Sequence, residues 1–347
     1  MVNNVELSII VPVYNTAQYL RQCLDSLVCQ TFKEIEIIVV NDCSPDNSHD
    51  IIEEYVSKYS NIVYVNHEVN KGYGGAANSA LAVSKGKYFT FVDSDDYIID
   101  KNCYKEVMEQ FEKHNINVVG FLVQALNDSD KSVRNIFKKK TEKIVKFYGS
   151  TMNIIGVNIW NKVFKKSDFI DNGLAFPEKT KYVDLEMWYK YVAKVKPEGK
   201  IINKYFYMYR EFRKGSVMND PSSAAAFFET MNRTYDWLVE QNAAEEYRDK
   251  IIDWLNVISD LLDRYSEESH AYMVEHFTNW INKIQLKPEE VNDILKMKVF
   301  AYCIKDNYTR RLYLDSIVLY KSKQNIINKT KYEIKRVIRQ IKTFFAG

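Results

Sequence analysis

No run in this 347-residue chain approaches the ~20 consecutive apolar residues that a membrane-spanning helix needs, so no span is expected. The N-terminus has no basic start followed by a long apolar stretch, and a secretory leader is not expected either. Cysteine is scarce: Cys23, Cys29, Cys43, Cys103 and Cys303 are odd in number and show no CxxC or Cys/His metal spacing. They read as reduced thiols of a cytoplasmic protein. Histidine is as scarce, and His270 and His276, six apart, share no helical face, so they give no reason to expect a metal site. Charge of either sign is not in excess. Forty-eight basic against 46 acidic residues leave a net +2, which argues against a dedicated nucleic-acid binder.

The chain does have enough apolar residues to fold. It is 46% hydrophobic and 27% charged, which predicts a packed globule, and its length predicts about two domains. Aromatic residues reach 14%, with 25 Tyr. That content suits carbohydrate or lipid surfaces and equally suits an ordinary core.

Leu7 to Val13 form a β-branched apolar run of strand length, as a central strand buried on both faces would. Tyr19, Leu20, Cys23, Leu24, Leu27 and Val28 then recur at helical spacing. Further strands are predicted at Ile35 to Val40, Ile62 to Val65, Tyr88 to Val92 and 116–123. Helices are predicted from Ser44-Pro45-Asp46 onward, over Ala76 to Val83 and over 103–113. Such alternation predicts an α/β fold with a mostly parallel sheet covered by helices on both sides. The segment 125–150 is polar and Lys-rich, as a loop or flap would be. From about 223 the chain reads helical, with few Gly or Pro.

Ligands of such sheets bind beyond the carboxyl ends of the strands, and four strand ends here carry polar residues. They are Tyr14-Asn15, Asn41-Asp42, Asn70-Lys71-Gly72 and Asp93-Ser94-Asp95-Asp96. The last is a hard-oxygen cluster of the kind that holds Mg²⁺ or Mn²⁺ against a phosphate-bearing substrate. A nucleotide fits this rim. Asp42 could accept from a base N–H, Tyr14 could stack on the ring, Asp93 could hold the ribose, and Asp95 could ligate a metal at the phosphates.

Val11-Pro12-Val13-Tyr14-Asn15, Val39-Val40-Asn41-Asp42-Cys43-Ser44, Asn70-Lys71-Gly72-Tyr73-Gly74 and Asp93-Ser94-Asp95-Asp96 together resemble the ordered motifs of family 2 inverting glycosyltransferases. The resemblance is specific over residues 5–100 and looser to about 218. It implies a GT-A fold and a nucleotide-sugar donor, with UDP favoured. It further implies that Asp42 reads the base, that Asp93 contacts the ribose and that Asp95, with Asp93, binds Mn²⁺ or Mg²⁺. Pro12, Tyr14, Asn15, Asn70, Lys71, Gly72 and Ser94 complete the expected donor contacts. The chain departs from the family's usual pattern at Asn41, where an Asp often precedes the base-reading Asp. Gly72-Tyr73-Gly74-Gly75-Ala76-Ala77 also matches a dinucleotide fingerprint, but it lies in the third strand–helix unit and several residues beyond its strand, so a dehydrogenase is not expected.

Displacement at a sugar carbon needs a base to take the acceptor's proton. Tyr182-Val183-Asp184-Leu185-Glu186 resembles the family's Glu-Asp-x-x-aromatic element with the first carboxylate missing, which makes Asp184 the expected base and Glu186 the reserve. The competing role for Asp184 is a helix cap. Asn161-Lys162-Val163-Phe164 and Tyr209-Arg210-Glu211-Phe212-Arg213 resemble two further elements of the family. By that resemblance Lys162, Arg210 and Arg213 would face the acceptor or the diphosphate. Trp160 and Trp188 could stack on acceptor sugars.

The expectation is therefore a GT-A domain over 1–218, with a nucleotide-binding half of about 1–100 and an acceptor half of about 101–218, followed by a helical region over 219–347. The reaction expected is transfer of a hexosyl or N-acetylhexosaminyl group to a saccharide or lipid-linked acceptor in bacterial surface-glycan assembly. The alternatives are a non-catalytic sugar- or lipid-binding scaffold and a sugar-phosphate nucleotidyltransferase. The latter should carry a Gly-rich loop directly after the first strand, where Pro12-Val13-Tyr14-Asn15 stands instead. The tail 321–347 sets eight basic side chains against the single acid Glu333, interleaved with apolar residues. Such a helix could lie on an anionic membrane at the inner face of the plasma membrane or pack on the helical region. That region could also support a homodimer.

Overall fold

A computed structural model describes residues 4–138, 143–212, 223–262, 275–276, 279–286 and 290. The strands are β1 (Leu7–Val13), β2 (Ile35–Asn41), β3 (Ile62–Asn66), β4 (Tyr88–Phe91), β5 (Tyr97–Ile98), β6 (Val118–Asn127), β7 (Val133–Asn135), β8 (Val145–Lys146), β9 (Lys162–Lys165) and β10 (Glu198–Glu211). The helices are α1 (Ala17–Val28), α2 (Ser48–Lys58), α3 (Gly72–Val83), α4 (Cys103–Lys113), α5 (Lys166–Asp171), α6 (Val183–Val195), α7 (Ser223–Glu240) and α8 (Arg248–Leu262).

One sheet runs β3-β2-β1-β4-β9-β6-β10-β5, with β7 paired to β6 and β8 to β10. The parallel order expected from strand–helix alternation holds for β3, β2, β1 and β4. Beyond β4 the sheet is mixed: β9 runs antiparallel to both β4 and β6, and β6 runs parallel to β10. The polar segment after β6 reverses the chain into β7, and the short β8 pairs with β10, so 125–150 is partly sheet rather than loop alone. Every residue of β1 and of β2 is buried, as their mainly apolar sequences require, and the polar residues among them are paired: Ser8 donates to Glu36 at 2.7 Å and Asn41 to Asn66 at 3.0 Å. On α1 the buried positions are Leu20, Cys23, Leu24 and Leu27, one stripe at helical spacing.

The abundant aromatic residues are largely core. Phe89, Phe164, Phe169 and Tyr191 pack ring to ring under the sheet, with centroids 4.8–5.6 Å apart. Two boundaries differ from expectation. Asp46 stays outside α2 because its carboxylate is engaged, accepting from Ser48 N–H (3.1 Å) and Ala17 N–H (2.8 Å). α3 begins at Gly72 rather than Ala76, because a left-handed Gly72 (φ +73°) turns the chain directly into the helix.

The chain divides into two compact units, 1–251 and 252–347. In the first, α7 packs on α6. In the second, the Trp254 and Trp280 rings lie 5.7 Å apart. The basic tail 321–347 and Arg213 lie outside the described residues. Among the described residues, no helix is long and apolar enough to cross a membrane.

Candidate functional site

The four polar strand ends meet at one edge of the sheet. Pro12 is tolerated inside β1 because it has the parity of Ile10, which faces β4. The β1–β4 ladder ends at Ile10–Phe91, so no bond needs the missing N–H. After β1 the chain turns sharply: Tyr14 is 51% exposed and Asn15 is left-handed (φ 54°). Asn15 N–H donates to Ser44 Oγ at 3.3 Å, tying the end of β1 to the end of β2.

Asp42 is buried, and its Oδ1 accepts from Lys71 N–H (2.9 Å) and pairs with His67 Nδ1 (2.7 Å). His67 Nε2 in turn meets Ser79 Oγ at 2.9 Å. Asn70 Nδ2 donates to the Asp42 carbonyl at 3.2 Å, and Gly72 N–H donates to Asn70 Oδ1. The site thus gathers Asp42, Asn70, Lys71 and Gly72. The departure at Asn41 has a local cause. Its amide accepts from Ser44 N–H and donates to Asn66 Oδ1, and a carboxylate could not do both.

The tetrad forms a tight turn, closed by Asp96 N–H to Asp93 O at 2.9 Å. Its four side chains take different directions. Ser94 turns inward onto Thr16 (2.8 Å). Asp96 is buried, and burial with the neighbouring Asp95 and Asp93 lifts its carboxyl well above the usual range. Asp93 and Asp95 are half-exposed. Among the described residues no three His, Cys, Asp or Glu side chains complete a metal site by themselves. Two half-exposed carboxylates on one turn nevertheless fit a Mg²⁺- or Mn²⁺-type ion whose remaining ligands would come from substrate phosphates and water. Tyr73 OH donates to Asp93 Oδ1 at 3.1 Å.

Asp184 stands in the first turn of α6, and its Oδ1 accepts from Leu185 N–H at 2.9 Å. That N–H is one of the first-turn donors without a partner inside the helix, so the carboxylate also serves the start of α6, its competing role. Burial lifts the Asp184 carboxyl above the ordinary range, partly offset by the backbone N–H groups of Leu185 and Asp184 and by nearby Lys162. The phenol of Tyr73 is pushed well up by burial and then by Asp93, Asp184 and Asp95, so one side chain lies within electrostatic reach of all three carboxylates.

The remaining candidates are committed elsewhere. Lys162 is buried. Its ammonium donates to the carbonyls of Gly156 and Asn158 and to Asn161 Oδ1, and lies 4.7 Å from the Trp188 ring centroid. Arg210 donates from Nε to Asp95 O (3.0 Å), from Nη1 to Asp128 (3.0 Å) and from Nη2 to Gln22 (2.8 Å). Glu186 is buried between Lys190 and Arg233. Trp160 stacks on Tyr207 and Tyr209, and Trp188 is core, so neither ring is open to a sugar. Sequence reasoning did not single out His67, Tyr73 or Tyr207. Tyr73 sits inside the Asn70–Gly74 motif and His67 directly follows β3, so position at the rim was the available signal for both.

Residues 8–167 match the description Glycosyl transferase family 2. The poly(ribitol-phosphate) beta-glucosyltransferase of Bacillus spizizenii is 28% identical over 78% of this chain and 47% of its own length. The poly(ribitol-phosphate) beta-N-acetylglucosaminyltransferase TarS of Staphylococcus aureus is 28% identical over 85% of this chain and 52% of its own. The chain thus spans about half the length of these relatives. A crystal structure of S. aureus TarS 1-349 in complex with UDP-GlcNAc superposes with a TM-score of 0.71 at 24% identity, covering 90% of this chain and 91% of that one. This likeness shows the fold.

Proposed function

From the membership of its residues 8–167 in glycosyl transferase family 2, we propose that this protein moves a hexosyl or N-acetylhexosaminyl group from a UDP-sugar to a polymer or lipid-linked glycan acceptor, with inversion, on the path to a bacterial surface polysaccharide. The observation that carries this reading is the turn beyond the carboxyl end of β4, which sets Asp93 and Asp95 side by side and half-exposed, with the Tyr73 hydroxyl bonded to Asp93 Oδ1 at 3.1 Å. The relatives named poly(ribitol-phosphate) glycosyltransferases and the UDP-GlcNAc complex of TarS support the choice of donor and acceptor class.

In this reading Tyr14 stacks on the base, Asp42 accepts from it, and Asp93 receives the ribose. Asp95, with Asp93, would hold Mn²⁺ or Mg²⁺, which when bound supplies positive charge against the leaving diphosphate. Asp184 takes the proton of the acceptor hydroxyl. The acceptor oxygen then bonds to the anomeric carbon from the face opposite the diphosphate, whose bond to that carbon breaks. A base of raised pKa suits the step, because it holds the proton better than a solvated Asp would.

Calorimetry with UDP, GDP and dTDP, with and without Mn²⁺, tests the donor site. Wild type should bind UDP in a Mn²⁺-dependent manner, and Asp95→Ala should abolish that dependence. A folded protein that binds none of the three diphosphates would overturn the transferase reading and favour a non-catalytic scaffold.

A further inference from the structure

We infer that Tyr207 and Arg210, neighbours at the end of β10, are positioning residues that fix the acidic turn 93–96 for the metal–diphosphate. This rests on the donor site proposed above.

The Tyr207 hydroxyl does two things at once. It accepts from Asp93 N–H (3.0 Å) and donates to Asp96 Oδ2 (2.9 Å), spanning the first and last residues of the turn. Arg210 holds the same turn at two other points. Its backbone N–H donates to Asp96 Oδ1 (2.7 Å), and its Nε donates to the Asp95 carbonyl (3.0 Å). Both oxygens of the buried Asp96 are thereby satisfied by β10, as a buried carboxylate requires.

Each clamp residue is itself held. Tyr207 is buried and stacks on Trp160 at 4.6 Å. The Arg210 guanidinium lies 4.5 Å from the Tyr19 ring centroid and donates to Gln22 on α1 and to Asp128 just past β6. Tyr19 OH also donates to Asp128 at 3.0 Å, which closes the group. The turn between β4 and β5 is therefore set by β10, α1 and the end of β6 together. The planar guanidinium fork reaches all these acceptors in one geometry, which a lysine ammonium cannot do. This assigns Arg210 a task other than phosphate binding. It holds the backbone from which the Asp95 carboxylate projects.

Tyr207→Phe keeps the buried ring and its stacking while removing both hydroxyl bonds. Calorimetric affinity for UDP in the presence of Mn²⁺ should fall about tenfold, the scale of lost hydrogen bonds to a charged group. The KM for Mn²⁺ in turnover should rise with little change in kcat at saturating metal. Tyr205→Phe is the control: it removes a hydroxyl bond from the same strand, to the Phe137 carbonyl, and should leave affinity unchanged. Arg210→Lys keeps the charge and the backbone bond to Asp96 but loses the fork, and should weaken Mn²⁺–UDP binding likewise. It carries the test if Tyr207→Phe does not fold. Wild-type-like Mn²⁺–UDP affinity in either folded variant would overturn the inference. So would a loss matched by Tyr205→Phe. Failure of wild type itself to bind would instead count against the underlying donor site.

Discussion

At the scale of the residue, the proposed mechanism turns on Asp184. Asp184→Asn should lower transfer by at least about a hundredfold, the usual worth of a positioned general base, while Mn²⁺-dependent UDP binding stays at the wild-type level. Retained turnover would remove Asp184 from the mechanism. The acidic limb of kcat should follow the same group. Its carboxyl is raised by burial, and a base works only when ionised, so activity should begin to fall at a pH above the ~3.9 of a solvated Asp. The placing of the acidic turn and of Asp42 at one edge was legible because alternating parallel strands bring their ends together whatever the loops do, whereas Asp184, on a helix, was reached only through the family resemblance. The tasks of Lys162 and Arg210 were not readable. Their charge matched a phosphate-facing role, while in the structure Lys162 is bonded by its own loop and packed against α6, and Arg210 is bonded by distant partners. Arg210 meets Gln22 across 188 residues, and the burial of Lys162 against α6 is a tertiary fact that no local spacing records.

At the scale of the element, the start of α3 joins the two halves of the site. A methyl at Gly74 would overlap the Pro177 carbonyl, and one at Gly75 would overlap the Lys71 side chain. Asn78 and Phe176 exchange a pair of hydrogen bonds, each 2.9 Å, and Lys179 N–H donates to Lys71 O at 3.0 Å. The segment that leads into Asp184 is thus strapped to the helix that leads out of the donor rim. Of the glycines that imitate a dinucleotide fingerprint, Gly72 and Gly74 serve this approach of backbone to backbone. Gly74→Ala should therefore destabilise by about 1–3 kcal/mol through overpacking, read as a lower urea midpoint. It should also reduce kcat more than UDP affinity, since it displaces the base and not the nucleotide contacts. An unchanged midpoint would mean that the strap is looser than the geometry indicates. The first four strands and their helices were legible from β-branched runs and helical stripes. In the mixed half α4 and β6 were legible in the same way, but the rest was not, because β9 and the β7 and β8 reversals are short and β10 carries polar residues, so hydrophobic period alone could not orient them.

At the scale of the whole molecule, carboxylates pull stability in two directions with pH. Asp96, Asp168 and Asp184 are raised, chiefly by burial. An acid with a folded pKa above its unfolded ~3.9 takes up its proton earlier in the folded chain, so each favours folding as pH falls from neutrality towards about 4. Asp128 does the opposite. Lys131, Tyr19 and Arg210 hold it down at about 2. Its contribution is complete above the unfolded value and is lost as pH falls towards 2, and partial exposure keeps that contribution small. The metal-free protein should therefore be most stable on the acidic side of neutrality, its urea midpoint rising from pH 7 towards 5 and falling below about 4. Mn²⁺ with UDP should reverse the upper limb. A cation at Asp93 and Asp95 favours the ionised forms of their neighbours, and binding to the folded chain alone adds about 2.7 kcal/mol at a hundredfold excess over Kd. Urea midpoints across pH 3–7, with and without Mn²⁺ and UDP, measure both effects. A metal-free midpoint that falls steadily from pH 7 would show that the buried carboxylates of the acidic turn and of α6 are already stabilised as anions by the protein itself, and that the site does not depend on a cation to keep them charged.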